Sequence, residues 1–152
     1  MRRLLVAALI LSLILAPIAG CGDAGGGSPA IPMTVHSAKE YQKTEKSVWA
    51  EPEEGSTYLS LDIEITNNTD QALTFWMLGN SHFILRDDRG YTADGMIPME
   101  DPAFSSDSIP PGELARGYYT WRIKDGWSML DLRFYVQGKE RAAIKIKRED
   151  IL

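Results

Sequence analysis

Thiol and imidazole chemistry have little to work with in this chain. Among 152 residues there is one cysteine, Cys21, and there are two histidines, His36 and His82. One cysteine excludes an internal disulfide, so stability must come from a hydrophobic core, which 44% apolar residues can supply. A zinc centre wants three or four convergent ligands, and two histidines far apart in sequence do not provide them. Positive charge is also short: 16 Lys and Arg stand against 21 Asp and Glu, a net of −5. Without Arg2 and Arg3 the balance is 14 against 21, or −7. That argues against nucleic acid as a partner, because phosphate binding needs clustered Lys and Arg. It argues equally against purely electrostatic docking on anionic lipid. No Gly-x-Ser-x-Gly elbow marks a hydrolase nucleophile, and no EF-hand spacing is present. No catalytic constellation emerges, so the chain reads as a non-enzyme with no cofactor.

The N-terminus is more informative. Arg2 and Arg3 precede an apolar stretch from Leu4 to Ile18, broken only by Ser12 and Pro17, and small residues Ala19 and Gly20 follow. This is the anatomy of a secretory signal. At about 15 residues it falls short of the roughly 20 that a permanent span needs. The tetrad Ile18-Ala19-Gly20-Cys21 resembles the lipobox of bacterial lipoproteins. The resemblance implies cleavage before Cys21 and a diacylglycerol thioether on its sulfur. Two or more acyl chains anchor a protein stably where one is marginal. Gly22 to Pro29 is Gly-rich and reads as a flexible tether. The expected organisation is therefore a signal peptide over 1–20, a lipidated linker over 21–31 and one domain over 32–152. The domain is expected on the extracytoplasmic face of a membrane, held there through acylated Cys21.

The domain reads as strands and turns. Leu59, Leu61, Ile63 and Ile65 alternate with polar residues, the period of a strand with one solvated face. Asn67-Asn68-Thr69-Asp70 matches a glycosylation sequon and reads better as a turn. Leu73 to Leu78 and His82 to Arg86 are further strands, with a hairpin turn at Asp87-Asp88-Arg89-Gly90. Pro110-Pro111-Gly112 turns the chain into a segment where Tyr119, Trp121 and Ile123 share a face. Leu130, Leu132, Phe134 and Val136 alternate, as do Ala142, Ile144 and Ile146. With an opening strand over Met33 to Tyr41 this makes seven or eight strands and no helical stripe. The fold class is all-β, an antiparallel β-sandwich.

Four stretches, "LSLDIEITNNTDQAL", "SHFILRDDRGYTAD", "IPPGELARGYYTWRI" and "LDLRFYV", are together similar to a family of bacterial extracellular Ig-like domains. That family is related to mycobacterial immunoprotective extracellular antigens and is frequent in lipoproteins. The matching positions are Asn67, Asn68, Phe83, Leu85, Asp87 or Asp88, Gly90, Pro111, Gly112, Tyr119 and Trp121. The resemblance implies an immunoglobulin-like sandwich and brings no catalytic residues.

Residues 91–108 read as a long surface loop. Met96, Met99 and Phe104 lie on it, flanked by Pro98 and Pro102. They either form a docking patch for an envelope or extracellular protein, or fold back to cap the sandwich. Trp76, Met77 and Trp127 complete the aromatic and methionine cluster. The acidic set Asp87, Asp88, Asp94, Glu100, Asp101 and Asp107 raises a second function class. In that reading the protein is a calcium- or copper-binding accessory of an exported system. The expected function is the first, a non-catalytic interaction module.

Overall fold

A computed structural model describes residues 30–41, 51–75, 79–104 and 107–151. Among the described residues nine strands run in chain order: β1 (Met33–Glu40), β2 (Ser56–Thr66), β3 (Leu73–Thr74), β4 (Ser81–Asp87), β5 (Asp94–Met96), β6 (Ser108–Ile109), β7 (Leu114–Lys124), β8 (Met129–Val136) and β9 (Lys139–Lys147). One sheet has the order β1-β2-β7-β5 and faces a second of order β4-β8-β9, while β3 and β6 form a short pair. Every strand pair is antiparallel. Dropping the β3–β6 pair leaves the A-B-E-D and C-F-G arrangement of the constant-type immunoglobulin sandwich. The expected fold class is what is found, with nine strands where seven or eight were expected.

Alternation explains how the sheets face one another. Leu130, Leu132, Phe134 and Val136 of β8 turn inward against Ile63, Ile65, Leu59, Leu61 and Trp121 in a single buried core. Phe75, Phe83, Phe104 and Phe134 make a ring cluster with centroids 5.2–5.8 Å apart, extended by Tyr119 and Trp121. Spacing of that kind adds edge and offset contacts to simple burial. Trp127, placed in a turn by its sequence context, is buried too, with the Arg148 guanidinium 5.0 Å from its ring.

Two expectations fail here for one reason. The polar residues of β2 were read as solvated, yet Ser60 and Asp62 are 4% and 7% exposed. Residues 91–108 were read as a long surface loop, yet they contain β5 and the first residue of β6. This segment lies against the β1-β2-β7-β5 sheet and covers polar side chains that alternation alone assigns to water. The predicted strand over 73–78 is found as Leu73–Thr74, with Trp76 and Met77 outside the described residues.

Candidate functional site

The segment from β5 to β6 is where the sequence placed its candidate binding residues, and its geometry starts at the β4 hairpin. Asp87 shapes that turn by accepting hydrogen bonds from the Arg89 and Tyr91 amides at 3.0 and 2.8 Å. The chain then leaves β4 for the opposite sheet and pairs with β7, placing Asp94 opposite Arg122, Gly95 opposite Trp121 and Met96 opposite Thr120. Because Trp121 points inward, Thr120 and Met96 point outward.

Residues 97–101 cross that outer face and are fastened to it. The Met99 amide donates to Thr120 Oγ1 at 3.0 Å, and Thr120 Oγ1 shares a 2.7 Å hydrogen bond with Ser60 Oγ. Glu100 meets Lys39 of β1 at 2.8 Å, and Lys39 lies 4.7 Å from the centre of the Tyr118 ring. Hydrogen bonding to Glu100 and then to Tyr118 raises the Lys39 pKa above its ordinary value. Asp62 on the same face is bonded to Arg116 at 2.8 Å, which lowers its pKa below the usual carboxylate value.

The chain returns to β7 at Pro102, whose carbonyl accepts from the Tyr118 amide at 2.8 Å, and the Phe104 amide donates to the Tyr118 carbonyl at 2.8 Å. So close an approach requires glycine on β7: a Cβ on Gly117 would lie 2.6 Å from the Ala103 carbonyl and from Phe104 N. Phe104 then enters the sandwich, 8% exposed, packing edge-on against Phe75 and Phe83.

The three candidate loop residues therefore separate. Met96 and Met99 are half-buried on the outer face. Phe104 is a correction: it is no docking residue, because the interior beside Phe75 and Phe83 takes its ring. The exposed apolar group of the segment is Ile97, 72% exposed and overlooked in the sequence. Its signal was available, since it stands between Met96 and Pro98, one residue beyond the strand that holds Met96.

The acidic residues are likewise dispersed. Asp87 serves its own turn, with a 2.6 Å ion pair to Arg89. Asp88 takes the Ser128 hydroxyl at 2.6 Å and the Ser128 amide at 3.0 Å, hydrogen bonds that hold its pKa at about 2. Asp94 pairs with Arg122 and Glu100 with Lys39. Among the described residues no three His, Cys, Asp or Glu side chains gather as a metal site. His36 contacts Glu64 at 3.1 Å on one sheet, while His82 stacks on Tyr135 of the other at 5.3 Å. The lipobox residues Ile18, Ala19 and Gly20, with Cys21, lie outside the described residues. Among those described, no helix is long and apolar enough to cross a membrane.

Comparison with known proteins decides the family. Residues 29–142 match the sequence profile of a family described as a domain of unknown function, DUF4352. The chain belongs to this family. Among solved structures the DUF4352 domain here resembles a candidate lipoprotein of Bacillus subtilis, ycdA, with TM-score 0.60 and 12% identity over 81% of this chain and 38% of that one. The chain thus spans 38% of the length of that protein, and the likeness bears on fold. An uncharacterized β-sandwich protein of Clostridium difficile matches with TM-score 0.45 and 20% identity, over 79% of this chain and 87% of that one. A hypothetical protein of Bacillus anthracis matches with TM-score 0.48 and 17% identity, over 80% and 91%. No curated protein matches.

Proposed function

We propose that this protein is an extracytoplasmic lipoprotein, acylated at Cys21, whose Ig-like domain is a non-catalytic module that binds an envelope or extracellular protein. The kinship with mycobacterial immunoprotective extracellular antigens is part of the same proposal. The observation that carries the binding role is the state of Ile97. It is 72% exposed, yet its segment is fastened by Met99 to Thr120 on one side and by Phe104 in the core beyond. An apolar group displayed on a held backbone loses little conformational entropy on docking, which is how rigid loops gain affinity. The non-catalytic reading is supported by the dispersal of groups that acid–base chemistry would use, with His36 on one sheet and His82 on the other, and Asp88 held by Ser128. The anchor reading rests on the tetrad ending at Cys21 and on the Gly-rich stretch after it.

A photocrosslinking residue at position 97 tests the surface in intact cells. It is expected to give one defined adduct, lost when untagged protein competes, whereas the same probe at Lys145 on the opposite sheet gives none. Equal adducts at both positions, or none at either, would remove the loop from the proposal. Cys21→Ser tests the anchor separately, with release from the membrane fraction or accumulation of uncleaved precursor as the expected result.

A further inference from the structure

The end of the sandwich where β2 leads to β3 and β8 turns into β9 carries a second polar site, away from Ile97. Two asparagines hold it from behind. Asn67 is fully buried; its amide donates to the Gln71 and Ile109 carbonyls at 2.8 and 2.7 Å, and its Oδ1 accepts from the Thr69 amide and hydroxyl. Asn80 donates to the Ala72 carbonyl at 3.0 Å and accepts from the Thr74 amide and the Ser81 hydroxyl, while its carbonyl takes the Gln137 amide at 2.6 Å. Both walls are therefore fixed by bonds that point away from solvent. Between them is an open groove of about 440 Å³, within the size range of small-ligand sites.

The groove is lined by Asn68, Asp70, Gln71 and Gln137, with Arg141 beside them and buried Leu73 and Val136 adding apolar surface. Gln137 supplies the groove's second side-chain amide. It opens the two-residue β8–β9 turn at φ +52°, a left-handed conformation that glycine, asparagine or aspartate adopts more easily. The Gln137 Nε2 reaches across to Gln71 Oε1 at 3.2 Å, joining the walls. That bond uses one Gln137 donor and the Gln71 acceptor, so Gln137 Oε1 can accept from a ligand and Gln71 Nε2 can donate to one. The Asp70 carboxylate and Asn68 Oδ1 add further acceptors.

A paired acceptor and donor fits a secondary amide. The apolar surface of Leu73 and Val136 fits a methyl group, and the remaining acceptors fit hydroxyls. A peptide brings the amide without the row of hydroxyls, and a plain sugar the hydroxyls without the amide. We propose that this groove binds an N-acetylated amino sugar of a glycan, with Gln71 and Gln137 gripping the acetamido group.

The test is calorimetric titration of the full-length protein with triacetylchitotriose, with maltotriose and acetyl-diglycine as separate arms. Gln137→Gly is the informative variant, because glycine suits the φ of +52° and the fold should be at least as stable without the amide. Saturable binding of triacetylchitotriose alone, weakened about tenfold or more in Gln137→Gly with an unchanged or higher Tm, is the expected result. Absence of binding at millimolar triacetylchitotriose, equal binding of either other compound, or undiminished binding by Gln137→Gly overturns the assignment.

Discussion

The outer faces of the two sheets differ in what lies on them. On β4-β8-β9, the outward residues His82, Arg86 and Lys145 stay exposed, and Arg133 pairs along and across strands with Asp131 and Glu140 at 2.7 and 2.8 Å. On β1-β2-β7-β5 the segment after β5 crosses the face, and Thr120, Ser60 and Asp62 are 0%, 4% and 7% exposed beneath or beside it. The first face uses polar groups to meet water, which is why exposed pairs there contribute little. The second uses Thr120, backed by Ser60, to hold a loop, and those buried hydrogen bonds have no water to replace them. A polar residue at the same strand phase thus has two different energetic roles, set by a segment far away in sequence.

Four substitutions would break or sharpen that contrast, in falling order of effect. Phe104→Ala withdraws the ring that anchors the crossing segment and leaves a cavity, and a loss of about 3–5 kcal/mol is expected in denaturant unfolding. Gly117→Val drives a side chain into the Ala103 backbone, and a loss of about 3 kcal/mol is expected by the same measurement, together with faster proteolysis near residue 103. Thr120→Val leaves the Met99 amide and the Ser60 hydroxyl unpaired, for a loss of about 1–3 kcal/mol. Lys145→Ala on the open sheet is its control and should stay within about 0.5 kcal/mol. If both substitutions cost the same, the difference between the faces is not energetic.

The smallest effect concerns acid. Asp88 has a folded pKa of about 2 against an ordinary 3.8, because hydrogen bonds from the Ser128 hydroxyl and then the Ser128 amide favour the carboxylate. A depressed value means that the stability it gives is complete above 3.8 and is lost as the pH falls toward about 2. Asp88→Asn should flatten that part of a Tm-against-pH curve while barely altering its slope between pH 6 and 8.

What the amino-acid pattern made legible follows from the same contrast. β8 and β9 could be read residue by residue, since Leu130 to Val136 and Ala142 to Ile146 alternate and each strand has one wet face. The turns at Asp87 and at Pro110 were legible because their residues set local backbone geometry. Ser60 and Asp62 were misread, since nothing in "YLSLDIEIT" records that Thr120, bonded to Met99, will engage Ser60 or that Arg116 will pair with Asp62. Phe104 and Ile97 were in effect exchanged for a related reason. Both are apolar and close to proline, and only the interior beside Phe75 and Phe83 decides which one is buried. The groove beside Gln137 went unseen because a Gln-Gly turn looks ordinary until its positive φ is known.

The claim on which the display of Ile97 depends is that its segment is held closed over the sheet. Amide hydrogen exchange measures this directly at three positions. Closure predicts protection of the Met99 and Phe104 amides approaching that of Tyr118 within β7, since they donate to Thr120 Oγ1 and to the Tyr118 carbonyl. Exchange of Met99 and Phe104 at the rate of an unstructured peptide, with Tyr118 still protected, would contradict it.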